Sequence, residues 1–195
     1  MSGAQNETLR VFCAIELPAA LRALVLQHIA KLKQSTPDAR ASWARDTNLH
    51  LTLKFLGNIP TTSVSKLSEA AARAVAGFAT FPLRFEATGA FPNQRQARVL
   101  WIGVNDSSGK LHELQKRLEE QAAQAGFAKE TRVFSPHLTI ARLRNPQDAR
   151  TLAAVHSQME FAPVEMMVSE LLVIRSELSS AGSKYSVISR HALKG

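Results

Sequence analysis

The sequence predicts an α+β fold with an approximate internal duplication, and three observations carry that reading. Short runs of strand-forming residues alternate with amphipathic helical stretches. The order of these runs is similar in the two halves of the 195 residues. No Gly/Ser/Pro-rich linker separates the halves, so one domain over residues 1–195 is expected, with residues 1–9 as a disordered lead.

Taken in order, "RVFCAIEL" (10–17) is rich in β-branched, aromatic and aliphatic residues and predicts a strand. Pro18 opens a helix in which Leu21, Leu24, Val25, Ile29 and Leu32 recur at helical spacing. "STPDARASW" breaks it, and residues 48–56 alternate as a strand does. A helix is expected over residues 61–78, with Ser/Thr start signals, an alanine-rich middle and a glycine near its end. "LRFEATGAF" and "RVLWIGV" predict two strands joined by the polar loop "PNQRQA", a hairpin. Residues 108–127 place Leu111, Leu114 and Leu118 on one face of a helix. "SPHLTIARL" predicts a strand, and Asn145 followed by Pro146 marks a helix start. "VEMMVSELLVIRSEL" and "SKYSVISRHAL" predict two strands around the turn "SSAGS".

Composition narrows the function classes. No apolar run approaches the roughly 20 residues of a membrane-spanning helix, and the N-terminal residues lack the basic, apolar and small-residue order of a secretory signal. The single cysteine, Cys13, lies in the apolar run "VFCAI" and reads as a buried, inert thiol. A cytosolic protein is expected. Lys and Arg number 24 against 16 Asp and Glu, a net charge of +8. The basic residues are spread along the chain, so the excess belongs to a folded surface or groove that attracts phosphate-bearing partners, or serves solubility alone.

The chemistry lies in a repeat. "HLTL" at residues 50–53 returns as "HLTI" at 137–140. Strand alternation puts Leu49, Leu51, Leu53 and Phe55 on one face and His50, Thr52 and Lys54 on the other. In the second copy Leu138 and Ile140 oppose His137, Thr139 and Ala141. One such histidine is usually structural; two in matching order on equivalent elements point to a shared site. Imidazole exchanges a proton near neutral pH, so one ring can activate water while the other protonates a leaving oxygen. The threonine hydroxyls suit the non-bridging oxygens of a phosphoryl group. Neither motif has zinc-ligand spacing, and the role of nearby Asp46 stays open. A nucleophile-elbow serine and a Walker-type loop are both absent. Neither a metal nor a cofactor is expected.

These residues resemble the two motifs of the 2H phosphoesterase superfamily, in particular its RNA 2',3'-cyclic phosphodiesterase branch, also called the 2'-5' RNA ligase family. The likeness extends over nearly the whole chain, from "RVFCAIELP" through "HLTLKFLG", "GAFPNQRQARVLWIGV" and "FSPHLTIARLR" to "LLVIRSELSSAGSKYSVI". It implies a bilobal fold: two pseudo-symmetric lobes of antiparallel strands with helices on the outer faces and a central cleft. It implies metal-independent opening of RNA 2',3'-cyclic phosphate ends to 2'-phosphates, with His50 as general acid, His137 as general base, and Thr52 and Thr139 binding the phosphate. The partner would be RNA with cyclic phosphate ends, tRNA-like fragments among them, and the chain would act as a monomer. The resemblance also allows a reversible 2'-5' RNA ligation, which would join such an end to a 5' hydroxyl through a 2'-5' linkage. Other readings stay open: a small cyclic phosphate or a 2'-5' oligonucleotide as substrate, or an RNA-binding module without chemistry.

Further candidates surround the motifs. Arg142 is a candidate phosphate contact, although regular alternation from Thr139 turns it to the opposite face unless the strand bends or ends there. Arg95 and Arg98, in or beside the hairpin loop, are candidates for holding the RNA backbone or are simply solvated. Trp43 and Phe91 could stack a base, and Phe91 reads equally as core. Phe55 reads as core. Lys54 reads as a cleft cation or a solvated side chain. His28, His112, His156 and His191 lack a partner motif and are assigned to surfaces.

Overall fold

A computed structural model of the chain describes residues 7–179 and 182–195. The elements follow as β1 (Thr8–Glu16), α1 (Ala19–Ser35), β2 (Ser42–Trp43), β3 (His50–Pro60), α2 (Val64–Val75), β4 (Phe81–Phe91), β5 (Val99–Asn105), α3 (Lys110–Gln124), β6 (His137–Arg142), α4 (Pro146–Gln158), β7 (Val164–Val168), β8 (Glu170–Ser179) and β9 (Gly182–Ala192). They build two antiparallel sheets, β3-β1-β8-β9 and β2-β6-β5-β4-β7. The α+β class and the two-lobed arrangement hold, and each sheet carries one of the repeated motifs.

Apolar periodicity decides which faces are covered. Leu21, Val25, Ile29 and Leu32 of α1, Leu67, Ala71 and Ala74 of α2, and Leu111, Leu114 and Leu118 of α3 are all buried. They join one apolar cluster with the inner residues of both sheets, among them Val11, Leu51, Leu100, Ile102 and Leu138. Truncating any one of these leucine or isoleucine side chains to alanine would cost about 2–5 kcal/mol, the usual range for a large-to-small core change. The opposite face of the first sheet carries a smaller cluster of Phe12, Ala14, Leu172 and Ile174 with Tyr185. At α4 the expected cap is present: the Asn145 side chain accepts from the backbone N–H groups of Gln147 and Asp148, with Pro146 in the first turn.

Several expectations need correction. Leu24 falls outside the buried stripe of α1 and is 40% exposed. The helix expected over residues 61–78 begins with a 3-10 turn at Thr61–Ser63 and is α-helical from Val64 to Val75. "VEMMVSELLVIRSEL" is two strands rather than one: β7 is an edge of the second sheet and β8 lies inside the first, so the chain changes sheets at Ser169. Thr8 and Leu9, expected in the lead, already pair with Pro60 and Ile59. Residues 1–6 of that lead and residues 180–181 of the "SSAGS" turn lie outside the described residues.

Candidate active site

Motif one begins β3 in the first sheet and motif two begins β6 in the second, and these two strands come into contact where the sheets meet. In both, the aliphatic residues go inward: Leu51 and Leu138 are fully buried, while His50, Thr52, His137 and Thr139 keep partial exposure.

A β-bulge follows the threonine in each copy. In β3, Thr52 pairs with Ala14 and Lys54 with Cys13, so Leu53 is the extra residue. In β6, Thr139 pairs with Trp101 and Ala141 with Leu100, so Ile140 is extra. One inserted residue reverses the alternation beyond it. Leu53 and Lys54 are consequently both buried, as are Ile140 and Ala141.

The bulges explain three outcomes. Arg142 returns to the face of His137 and Thr139, and its charge acts on both motif histidines. Phe55, expected in the core, is 49% exposed, and the Arg10 guanidinium stacks on its ring at 4.6 Å. Lys54, expected beside His50 or in solvent, points into the core instead. There its ammonium donates to Glu119 Oε2 at 2.6 Å and to the Ala128 carbonyl at 2.9 Å. The same Glu119 oxygen accepts from the Glu130 backbone N–H at 3.2 Å, which ties the approach to motif two to the strand of motif one.

Each imidazole is held through the carbonyl two residues before it. His137 Nδ1 donates to the Ser135 carbonyl at 2.8 Å, and the His50 ring donates to the backbone of Asn48. A carbonyl only accepts, so in the neutral His137 ring Nδ1 carries the proton and Nε2 is free to take another. Aromatic rings fix the orientations. His50 lies 4.6 Å from Phe12 and 5.2 Å from Tyr185. Phe91 stands edge-on to His137 at 4.9 Å and tilts against Trp101 at 5.3 Å. Trp101 needs the bare backbone at Gly89, where an added Cβ would fall 2.2 Å from the indole. Phe91 thus supports a motif histidine.

Both rings are weakened as bases. Burial pushes the His50 imidazole down to about 4, against the raising effect of the Asn48 hydrogen bond and with a further lowering by Arg142. Burial also lowers His137, the Ser135 bond raises it, and Arg142 lowers it. Neutral rings in a cationic, partly dry setting suit an anionic ligand, whose charge would favour their protonation.

The remaining candidates fall elsewhere. Arg95 and Arg98 are exposed on the β4–β5 connection, and neither side chain has a hydrogen bond or ion pair among the described residues. Trp43 pairs with Ala141, on the core side of β2, with Lys33 at 5.5 Å from its ring, so it does not face the motif residues. His28 and His156, assigned to surfaces, are buried and bonded to each other, Nε2 to Nδ1, at 3.3 Å. His112 is exposed against Asp106, and His191 is partly buried beside Ser189. Sequence reasoning missed Phe12, Trp101 and Tyr185, although alternation along "RVFCAIE", "RVLWIGV" and "SKYSVIS" sets each on one face of a strand.

A family model described as the 2'-5' RNA ligase superfamily matches residues 18–179. A protein of Methanothermobacter thermautotrophicus named RNA 2',3'-cyclic phosphodiesterase is 31% identical over 180 residues, 91% of this chain and 95% of its own length. One of the same name from Escherichia coli K12 is 31% identical over 188 residues, covering 96% and 98%. Among solved structures, a crystal structure described as a phosphoesterase superposes with a TM-score of 0.77 at 28% identity, covering 97% of this chain and all of the other. Escherichia coli LigT complexed with 3'-AMP gives a TM-score of 0.76 at 29% identity with the same coverage.

Proposed function

The chain belongs to the 2'-5' RNA ligase superfamily, and from that premise we propose that it opens 2',3'-cyclic phosphate ends of RNA to 2'-phosphates by paired histidine acid–base catalysis, without a metal. The observation that carries the reading is the mirrored construction of the two motifs. Each sheet offers a histidine tied to the carbonyl two residues back, a threonine two residues on, and a bulge directly after it. Close relatives bearing the name RNA 2',3'-cyclic phosphodiesterase support the substrate class.

In this mechanism the cyclic phosphate lies between the lobes, with Thr52, Thr139 and Arg142 donating to its non-bridging oxygens. His137 takes a proton from water through its free Nε2, and the oxygen attacks phosphorus. The bond to the 3' oxygen breaks, and His50 delivers a proton to that oxygen. The ring at His50 is neutral in the empty site at neutral pH; the charge of the bound diester raises its affinity for the proton it must deliver. With a 5' hydroxyl in place of water as the attacking group, the same two rings in the same roles would form a 2'-5' linkage. Positioned acid–base groups of this kind each supply on the order of 100- to 10,000-fold.

Among the described residues no three His, Cys, Asp or Glu side chains gather to hold an ion. No described helix is long and apolar enough to cross a membrane. The two sheets share one apolar cluster, so the halves act as one domain, and one chain supplies both motifs, so a monomer completes the site.

The test is to incubate an RNA ending in a 2',3'-cyclic phosphate with the protein in excess chelator and to identify the product end. Turnover to a 2'-phosphate is expected. A 3'-phosphate product, or loss of turnover on chelation, would reject the mechanism.

A further inference from the structure

Beside His50, on the side toward β8 and β9, the first sheet forms a recess of about 110 Å³. Its walls include Glu16, Leu172, Ile174, Tyr185 and Val187, with His50 at one edge. Strand alternation accounts for the lining. Phe12, Ala14 and Glu16 share a face of β1, and Glu16 stands directly opposite His50. Leu172 and Ile174 share that face of β8, while Tyr185 and Val187 continue it on β9. A flat aliphatic floor with an aromatic wall therefore lies against the ring that serves the leaving oxygen.

Resting on the proposed reading of the site, we infer that this recess seats the base of the terminal nucleotide and that Glu16 reads a hydrogen-bond donor on the base edge. Both oxygens of the cyclic phosphate that bridge to sugar belong to one ribose. When His50 addresses the 3' oxygen, that ribose lies against His50 and its base enters the neighbouring space. The floor suits the face of a base and excludes water from it.

Glu16 supplies the selectivity. Its Oε2 accepts from Arg190 Nη1 at 3.1 Å, and Arg190 also holds Glu170. The guanidinium offsets the carboxylate charge, which would otherwise repel the phosphate. The second oxygen, Oε1, has no hydrogen bond among the described residues. A carboxylate accepts only. It rewards the exocyclic amino group of adenine, cytosine or guanine; uracil has carbonyl oxygens at those places and offers only its ring N3–H, flanked by both carbonyls, which repel a carboxylate.

Four short RNAs, identical except for A, C, G or U at the cyclic-phosphate end, test this through kcat/KM. The wild-type protein should favour A, C and G over U by about 3- to 10-fold, as one hydrogen bond implies. Glu16→Ala should bring the first three down to the rate on U. Val187→Trp, a surface change that fills the recess, should raise KM on all four. Circular dichroism of both variants checks folding. Equal rates on the four RNAs, a preference that survives Glu16→Ala, or an unchanged KM in Val187→Trp would overturn the inference while leaving the cyclic-phosphate reading intact. No turnover of any of the four by the wild-type protein would overturn both.

Discussion

Arg142 and Phe55 occupy equivalent positions in the two halves of the molecule. Each lies three residues beyond its motif threonine, and each is returned to the histidine face by a bulge at the residue after that threonine. The duplication thus places a cation on one side of the site and an exposed aromatic ring, stacked under Arg10, on the other. A pseudo-symmetric frame acquires a direction at this pair.

If Arg142 holds the phosphate, Arg142→Gln should lower kcat/KM by roughly 100- to 1,000-fold, the usual effect of losing a donor to developing charge. Arg142→Lys should recover part of it, because a point charge replaces a planar fork. Steady-state kinetics on a cyclic-phosphate RNA measures both. Equal activity of Arg142→Gln and wild type would remove Arg142 from the mechanism.

The pH dependence of kcat/KM should have its optimum on the acid side of 6.5. The proposed mechanism needs one ring neutral and one protonated, and burial lowers both, His50 to about 4 and His137 below its ordinary 6.5. Arg142 also lowers both, so Arg142→Gln should move both limbs of the profile toward higher pH. A wild-type optimum above pH 7 would contradict the assigned environments.

Lys54 and Glu119 form a buried ion pair, with side-chain exposures of 2% and 13%. Lys54→Met alone leaves Glu119 without its cation and should destabilise the protein by about 3–5 kcal/mol. Adding Glu119→Leu should restore much of that loss, since a matched apolar pair avoids desolvation. Chemical denaturation of the two variants and the wild type makes the comparison.

The buried His28–His156 pair should make the fold acid-sensitive. Burial first, then the charge of His156, lowers His28 to about 4. Below pH 6.5 the unfolded chain takes a proton that the folded ring refuses, so stability present above 6.5 is lost progressively toward pH 4. Thermal midpoints across that window should fall, and His28→Leu should flatten the dependence. An unchanged slope in His28→Leu would place the sensitivity elsewhere.

The motif residues were legible in the sequence because their signal is order: His, Leu, Thr and an aliphatic residue, twice, on equivalent strands. The strands and helices around them followed from periodicity, down to the Asn145–Pro146 helix start. The fates of Lys54, Phe55 and Arg142 were not legible. A bulge is set by the register of a neighbouring strand, so period-two reasoning is right up to Thr52 and Thr139 and inverted beyond them. The division of residues 164–178 between two sheets has the same cause, for both pieces are strand and only their partners differ. His28 and His156 stand 128 residues apart, and no local pattern announces that two helices bring them together.

The central claim is that His50 and His137, one from each sheet, act on a single phosphate. The most direct measurement is a double-mutant cycle on turnover of a cyclic-phosphate RNA with His50→Ala, His137→Ala and both together. Each single variant should lose on the order of 100- to 10,000-fold, and the double should fall little further than the worse single, as members of one catalytic unit do. A single variant that turns over at the wild-type rate would contradict the claim.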